Sequence, residues 1–470
     1  MNKYYLTVAI PYVNGRPHIG HALEYFQGDT VRNFYRLKGY DTLFLSGADE
    51  NALKNVQAAE KAGMPVQEFL DKNSQVFKDA FGQLGVKLDI FQRGSDPEKH
   101  YPGVQKLWEL CLKNGDIYKK SYKGLYCVGC ESFKIEEELV NGLCPDHQTK
   151  PEVVEEENYF FALSKYQDKL IQLIESGEFK ITPDNKKAET LAFIKRGLED
   201  FSVSRSRARA KGVGVPVPND PDQIIYVWYD ALNIYMTGIG YGRDEEAWKK
   251  WWPADLHIIG KDINRFHTSY WPAMLLSAGL PLPKQILIHG FITSGGQKMS
   301  KTLGNVIDPF DMVEKFGLEP FRYYMLSQIP TDDDGDFTIE RFKEVYTADL
   351  SNGLGNLVAR VAKLCENSGF EASEKISHFD PEVEKLLTEF KFNEALSWIW
   401  RIIQRADQRV NETQPWKLEG TVLKEVLDEL VSLILDVAYN LQPFLPESSE
   451  KILKQFSGKV TAQSPLFPRI

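Results

Sequence analysis

The chain has 470 residues, of which 56 are Lys or Arg and 66 are Asp or Glu, so its net charge is −10. This length predicts roughly three structural units, and the acidic total argues against non-specific coating of nucleic acid, although a specific RNA partner needs only a local basic surface. The chain lacks an N-terminal signal segment and any apolar run near the ~18–20 residues of a membrane span, which predicts a cytoplasmic protein.

The N-terminal segment reads as a strand, a tight turn and a helix. Residues 3–10 favour a strand and residues 19–37 an amphipathic helix. A helix start after a strand presents backbone N–H groups and the positive dipole end to an anion. His18 and His21 lie at this start, so it is a candidate phosphate site, although two exposed polar side chains would fit the same pattern.

A second predicted strand, residues 42–45, completes a βαβ unit and indicates a parallel sheet. Asp49 follows its carboxyl end, where ligands bind in open α/β sheets. This carboxylate is a candidate partner for a cationic ligand group, and the alternative is a helix N-cap. The next helices are predicted at residues 51–63, 65–84 and 96–114.

Short strand-like pieces follow over residues 116–150, where three of the five cysteines lie. Cys127 and Cys130 form a Cys-x2-Cys pair, and Cys144 and His147 form a Cys-x2-His pair. This ligand set predicts a tetrahedral Zn²⁺ with no open position, hence a structural metal in a small insert. Unrelated thiols beside a surface histidine are the alternative.

The sheet is expected to resume after this insert. Residues 202–211 alternate basic and small side chains, which favours either a phosphate-facing run or a solvated strand or loop. Further strands are predicted at residues 224–228, 256–260 and 285–290, and a helix at residues 263–280.

Lys298 and Lys301 then lie on a glycine-framed loop that could close on a polyphosphate. From residue 309 the pattern is helical, with one long run predicted over residues 339–367, and an all-α C-terminal domain of about 120 residues is expected.

Together these segments resemble the class I aminoacyl-tRNA synthetases, and among them the methionyl-tRNA synthetase family. Residues 18–21 (His-Ile-Gly-His) and 298–302 (Lys-Met-Ser-Lys-Thr) resemble the two signatures of the class. The resemblance runs over essentially the whole chain, and the zinc cluster is similar to the bacterial single-knuckle form. The segments that resemble the methionyl family are residues 9–12, 226–231, 260–263 with 266–267, and 354–357.

The resemblance implies an α/β protein with a split Rossmann-type parallel-sheet catalytic domain, a zinc-binding insert and an all-α anticodon-binding domain. The insert is short, which argues against the valyl, isoleucyl and leucyl relatives that carry an editing domain there. The implied boundaries are 1–115 and 214–290 for the catalytic halves, 116–213 for the insert, 291–345 for the lysine loop and stem-contact region, and 346–470 for the helical domain.

The implied reaction joins L-methionine to tRNA(Met), initiator and elongator, through a methionyl-adenylate made from ATP with Mg²⁺. His18 and His21 would stabilise the triphosphate, and Lys298 and Lys301 would bind its pyrophosphate portion. Such catalysis works by positioning and charge stabilisation without a protein nucleophile. The other implied ATP-binding residues are Gly20, Gly260 and Asp262.

For the amino acid, the resemblance implies that Asp49 holds the ammonium group. Aromatic and apolar groups suit a polarizable thioether, although each of them taken alone is more often plain core. The implied side-chain pocket consists of Ile10, Tyr12, Trp228, Leu232, Tyr235, Ile263 and His267.

In the helical domain, Asn356, Arg360 and Trp416 resemble the family's anticodon-reading residues, because unpaired bases are read by stacking and by hydrogen bonds to their edges. Without the resemblance, a Trp covering the helical core and an Arg in a surface ion pair would be expected. The chain stops at Ile470, before the dimerisation extension of some relatives, which favours a monomer.

Two departures from the family pattern stand out. Asn51 and Ala52 occupy positions where many relatives have His-Gly, and Thr302 replaces the consensus Ser. The rival interpretations are a cysteine or leucine enzyme of the same class and a non-catalytic RNA-binding paralogue. Such paralogues usually lose a signature His or Lys, and this chain has all four.

Overall fold

The computed structural model describes residues 2–129, 132–134, 136–145, 148–299, 305–373 and 377–470. Tertiary contacts divide the chain into two compact units. Unit 1 consists of Met1–Pro17, Asp41–Gln83 and Lys87–Ile288. Unit 2 consists of His18–Tyr40, Leu84–Val86 and His289–Ile470.

The strands of the described residues are β1 (Lys3–Val8), β2 (Asp41–Ala48), β3 (Ile90–Arg93), β4 (Ile117–Cys127), β5 (Ser132–Lys134), β6 (Glu152–Phe161), β7 (Lys180–Thr182), β8 (Phe201–Ser202), β9 (Ser204–Ser206), β10 (Pro216–Val217), β11 (Asp220–Ile225), β12 (Leu256–Gly260), β13 (Gln285–His289), β14 (Ile292–Ser294), β15 (Gln297–Lys298), β16 (Gly335–Asp336), β17 (Glu371–Ala372) and β18 (Gly458–Lys459). The α-helices are α1 (Ile19–Leu37), α2 (Leu53–Lys61), α3 (Val66–Gln83), α4 (Tyr101–Lys113), α5 (Gln167–Ser176), α6 (Asp184–Lys195), α7 (Val227–Ala231), α8 (Ile234–Thr237), α9 (Glu245–Trp251), α10 (Trp271–Ser277), α11 (Pro309–Phe316), α12 (Leu318–Gln328), α13 (Ile339–Val345), α14 (Asn356–Ser368), α15 (Pro381–Thr388), α16 (Phe392–Thr413), α17 (Gly420–Leu441) and α18 (Pro446–Gln455).

A six-stranded sheet in the order β3-β2-β1-β12-β13-β7 organises unit 1. The pairs β1–β2, β1–β12, β2–β3 and β13–β7 are parallel. All five residues of β12 are buried, as expected for a strand covered on both faces. The predicted α/β fold with a parallel sheet is therefore confirmed, and strands from before and after the insert meet where Leu6 lies opposite Leu256.

Strand β7 comes from the middle of residues 116–213 and extends the edge of this sheet. Elsewhere in that range, β4 is an 11-residue strand that pairs with β6 from Ile117 opposite Phe161 to Tyr126 opposite Glu152. The expectation of only short pieces was therefore wrong. Cross-strand side-chain pairs along this long ladder stabilise it.

Two predicted elements differ from the observed ones near the aromatic residues of unit 1. The strand predicted over residues 224–228 ends at Ile225, and Trp228 lies on α7, whose first helical bond runs from Asp230 N to Tyr226 O. Aromatic and β-branched residues suggested a strand, but tertiary context overrides such propensities. The helix predicted over residues 263–280 is a 3₁₀ turn, a π-turn at Phe266–Tyr270 and then α10. Pro272 has no N–H to donate, which accounts for the irregular turn just before it.

Unit 2 is mostly helical. The long helix predicted over residues 339–367 is divided by a π-helical segment at Tyr346–Gly355. Arg322 on α12 pairs with Asp29 on α1 at 2.7 Å and also donates to the carbonyl of Pro443. Both charged side chains are buried. None of the helices in the described ranges has the length and apolarity needed to cross a bilayer.

Candidate active site

Asp49 lies directly after β2 and is buried. Its backbone N–H donates to the carbonyl of Pro11 at 2.9 Å, and its carbonyl accepts from Asn55 Nδ2 at 2.8 Å. Helix α2 begins at Leu53, with Ala52 as its N-cap. Asp49 is therefore not the helix cap that the sequence also allowed, and its carboxylate stands at the end of a parallel strand.

Four of the predicted pocket residues contact one another through their rings. Trp228 meets Tyr12 edge-on at 6.1 Å and His267 at 6.5 Å, and Tyr235 lies 5.7 Å from His267. Leu232 belongs to the same apolar cluster as Trp228 and Tyr235, and Ile10 and Ile263 pack against it. The structure thus gathers these residues into one apolar, aromatic region of unit 1.

Phe266 is a member of this region that sequence reasoning did not assign. Its ring stacks on Trp228 with centroids 3.8 Å apart and planes 6° apart. The sequence places it next to His267 but contains no signal for the stacking, because the π-turn that carries both residues was not predicted.

The tautomer of His267 follows from its two hydrogen bonds. Nδ1 faces the carbonyl oxygen of Ile263 at 3.1 Å and must donate to it, so Nε2 accepts from the Tyr235 hydroxyl at 2.8 Å. Burial lowers the pKa of His267 to about 4. The imidazole is therefore neutral near pH 7, and it fixes the direction in which the Tyr235 O–H points.

Glu50, the residue after Asp49, is fully buried and anchors the end of β2. Its carboxylate accepts from Ser74 Oγ at 2.5 Å, from Arg93 Nε at 2.8 Å and from Ser95 N at 2.9 Å. Charge-assisted bonds of this kind hold a backbone segment firmly. The sequence shows an acidic residue next to Asp49, but it does not show which groups donate hydrogen bonds to that residue.

His18 and His21 form the start of α1 in unit 2. His18 Nδ1 accepts from Gly20 N, and His21 Nδ1 accepts from His18 N, both at 3.1 Å. The two rings lie 3.8 Å apart. Burial, with a further contribution from the neighbouring histidines, lowers the pKa of His21 well below its usual value. A neutral ring that accepts at Nδ1 carries its proton on Nε2, so each ring presents an Nε2–H donor.

A buried pair next to this helix start was not predicted from the sequence. His289 Nε2 faces Glu24 Oε2 at 3.1 Å, and its Nδ1 faces the carbonyl of Gly290 at 2.8 Å. Both ring nitrogens of His289 therefore lie within hydrogen-bond distance of an oxygen, which fixes the orientation of the ring. The pKa of His21, lowered mainly by burial, is lowered further by electrostatic interactions with His18 and His289.

The predicted lysine loop is only partly described. β14 and β15 form a hairpin through Gly295 and Gly296, which both have positive φ. Asp336 Oδ1 accepts from Gly296 N at 2.9 Å and from Thr293 Oγ1 at 2.7 Å, which holds the hairpin's turn. The side chain of Lys298 and all of Lys301 lie outside the described residues.

Gly260 and Asp262 follow the end of β12, where a 3₁₀ turn runs from Lys261 to Ile263. Asp262 is exposed. A Cβ at Gly20, in the first turn of α1, would lie 3.0 Å from the His18 ring, so this glycine permits the close packing there.

Of the four predicted zinc ligands, Cys127 and Cys144 are described and Cys130 and His147 are not. Cys127 ends β4 and Cys144 follows a tight turn at Asn141 and Gly142, both with positive φ. The two thiols are buried, and no disulfide is formed among the described cysteines. Buried thiols beside tight turns are the donor chemistry that Zn²⁺ prefers.

The basic run at residues 202–211 does not present all of its cations to solvent. Arg205 is buried, and its guanidinium lies 4.4 Å from the Tyr226 ring centroid and 5.0 Å from that of Tyr126. Its Nη1 donates to the carbonyl of Ser204 at 2.7 Å. This arginine is therefore a packing residue of unit 1 and not a phosphate ligand.

The three predicted anticodon-reading residues lie in unit 2. Asn356 is exposed at the start of α14, and Trp416 is 56% exposed between α16 and α17. Arg360 Nη1 donates to Asp407 Oδ1 at 2.7 Å and Nη2 to Asn411 Oδ1 at 3.0 Å. Asp407 and Asn411 also line a surface cavity of about 500 Å³.

The chain is similar to a known protein family, to named relatives and to a solved structure. A family model described as tRNA synthetases class I (M) matches residues 4–151 and 138–362. A methionine–tRNA ligase of Thermotoga maritima is 40% identical over 97% of this chain and 75% of its own length. A methionine–tRNA ligase of Brucella suis is 41% identical over 99% of this chain and 98% of its own length. A solved Mycobacterium tuberculosis methionyl-tRNA synthetase in complex with methionyl-adenylate is similar with a TM-score of 0.93, 35% identity and full coverage of both chains.

The chain therefore belongs to the class I aminoacyl-tRNA synthetases and, among them, to the methionyl-tRNA synthetase family. It is a ligase with a Rossmann-type class I domain followed by a helical region. The resemblance noted in the sequence is thus confirmed, and the activity is that of a methionine–tRNA ligase.

Proposed function

We propose that the chain activates L-methionine with ATP to methionyl-adenylate and pyrophosphate, and then transfers the methionyl group to the 3′-terminal ribose of initiator and elongator tRNA(Met). In the first step the methionine carboxylate attacks the α-phosphate of ATP and pyrophosphate leaves. Mg²⁺ bound to the ATP would neutralise phosphate charge. The observation that best supports this proposal is the single aromatic region around Trp228 beside a strand that ends in a buried carboxylate, Asp49.

The amino-acid end of the reaction is assigned to unit 1. Asp49 is buried at the carboxyl end of a parallel strand, where ligands bind in open α/β sheets, and its carboxylate would form a charge-assisted hydrogen bond with the ammonium of methionine. The apolar region suits a thioether because sulfur contacts aromatic rings favourably. Tyr12, Tyr235 and His267 are the polar residues of this region that could hydrogen-bond the sulfur weakly, and the Tyr235 hydroxyl already donates to neutral His267.

The nucleotide end is assigned to His18, His21, Lys298 and Lys301, with Gly20, Gly260 and Asp262 as further ATP-binding residues. The tautomer that the helix start imposes on the two histidines supports this assignment, because it leaves each ring with an Nε2–H donor at the start of α1. Preorganised donors stabilise charge that develops on phosphate oxygens. Arg360, Asn356 and Trp416 would read the anticodon.

A structural Zn²⁺ would be held by Cys127, Cys130, Cys144 and His147. A closed four-ligand site of this kind would contribute folding free energy to the insert. The proposed domains are 1–115 with 214–290, 116–213, 291–345 and 346–470, and the enzyme is proposed to act as a cytoplasmic monomer.

Amino-acid-dependent ATP–pyrophosphate exchange tests the substrate assignment. We expect exchange with L-methionine and none above background with L-cysteine or L-leucine, followed by charging of both tRNA(Met) species. Exchange with cysteine or leucine in place of methionine would assign the chain to another substrate. Binding of tRNA without exchange for any amino acid would instead indicate a non-catalytic protein.

A further inference from the structure

A buried polar network in unit 1 connects segments that carry residues of the proposed methionine site. We define the Asp230 network as Asn51, His100, Asp230 and Thr237. Asp230 is 1% exposed, and its two carboxylate oxygens accept from different segments: Oδ1 from His100 Nε2 and Oδ2 from Asn51 Nδ2, the latter at 2.6 Å. On its other side, His100 Nδ1 meets Thr237 Oγ1 at 2.7 Å.

A carboxylate at this depth is costly unless its oxygens are satisfied. The two side chains that donate to the Asp230 carboxylate, His100 and Asn51, lie outside the helix that carries Asp230. His100 directly precedes α4, and Asn51 lies two residues after Asp49. Asn51 Nδ2 also donates to the carbonyl of Gly94 at 2.8 Å. The carboxylate of Asp230 therefore links α7 by hydrogen bonds to the segment that carries Asn51 and to the segment that carries His100.

The network joins the two halves of the proposed amino-acid site. Asp230 lies on α7 two residues after Trp228, and Thr237 lies on α8 two residues after Tyr235. Asn51 lies on the segment that carries Asp49. We propose that the Asp230 network positions the carboxylate that binds the methionine ammonium relative to the aromatic residues that bind its side chain, with Asn51 and Asp230 as positioning residues.

This assignment also gives a role to Asn51, which stands where many relatives have histidine. A planar amide with two N–H donors can serve two acceptors at once, and here Nδ2 bonds both Gly94 O and Asp230 Oδ2. The amide oxygen is buried and has no hydrogen-bond partner within the described ranges. The bonds of Asn51 to its neighbours therefore run through the amide nitrogen.

The inference rests on the proposed function and is tested by Asn51→Ala. Removing one donor from a buried carboxylate should weaken methionine binding about tenfold, measured as KM for methionine in exchange and as Kd by calorimetry with L-methionine alone. KM for ATP should stay within about twofold, because ATP is assigned to other residues. This split between the two substrates is not expected from a general loss of stability.

Asn114→Ala is the matched control. Asn114 Nδ2 donates to the buried carboxylate of Asp116 at 2.7 Å. The Asn114→Ala substitution therefore removes the same kind of hydrogen bond in the same unit. The carboxylate of Asp116 accepts hydrogen bonds from Asn114, Lys165, Tyr166 and Ser277, none of which is a proposed pocket residue. We expect KM for methionine to be unchanged in this variant.

A second pair of variants probes the other donor. His100→Gln retains an N–H donor at the distance of Nε2 and should bind methionine more tightly than His100→Ala. Wild-type methionine affinity in Asn51→Ala, or equal losses in the two His100 variants, would overturn the positioning role while leaving wild-type exchange intact. Absence of methionine-dependent exchange in the wild type would instead overturn the proposed function.

Discussion

His267 illustrates what can be decided at the scale of a single residue. Its two hydrogen-bond partners fix the tautomer, and burial lowers its pKa from an ordinary 6.5 to about 4. The sequence suggested His267 and Tyr235 as pocket residues but could not predict the tautomer, because Tyr235 lies on α8, a short helix that was not predicted, and meets His267 only in the folded chain. A neutral histidine at this position suits an apolar amino-acid side chain.

This shift predicts a pH dependence of stability. Between pH 6.5 and pH 4 the unfolded chain binds a proton at this position and the folded chain does not, so the free energy of unfolding falls as the pH falls. Relative to His267→Gln, the wild type should lose about 2 kcal/mol between pH 7 and pH 5. Urea unfolding of both proteins measures this difference, and parallel pH profiles would contradict it.

At the scale of elements, the buried pair between Arg322 and Asp29 joins α12 to α1 within unit 2. Arg322→Met leaves Asp29 buried without its cation, so the free energy of unfolding should fall by about 3–5 kcal/mol. Chemical denaturation measures this loss. The control is Lys38→Ala, since Lys38 on α1 also pairs with a carboxylate, that of Glu384, but both side chains are partly exposed.

The control should cost at most about 1 kcal/mol, because exposed pairs are screened and gain little. Similar losses of unfolding free energy in the two variants would contradict the claim that burial makes the Arg322–Asp29 pair more stabilising than the Lys38–Glu384 pair. Neither pair was predicted, since residues about 290 to 350 positions apart in sequence leave no local pattern.

The elements that the sequence predicted best are those with local signals. The strand before His18, the helix after it and the strand before Asp49 follow from hydrophobic patterning and turn residues. The prediction was wrong where tertiary packing overrides propensity, as at Trp228, and where a π-turn precedes Pro272. These departures lie in the proposed amino-acid pocket, where local rules are often broken for function.

At the scale of the whole molecule, sequence reasoning predicted the α/β class, the parallel sheet and the family. It did not predict that β7 joins the sheet from within residues 116–213, because a three-residue strand carries almost no pattern. The Asp230 network was also invisible, since it needs the positions of Asn51, His100 and Asp230 in space. The proposed catalytic and binding residues were predicted from sequence motifs, whereas the residues that position them were identified only from contacts in the structure.

Methionine-dependent ATP–pyrophosphate exchange by the wild type and His21→Ala tests the central claim most directly. Loss of one preorganised donor to the phosphates should lower kcat for exchange about 100-fold or more, while the Kd for methionine, measured by calorimetry, stays within about twofold. Asp49→Asn, which alters the proposed ammonium partner, should instead weaken methionine binding. Unchanged exchange by a folded His21→Ala variant would contradict the assignment of this helix start to ATP.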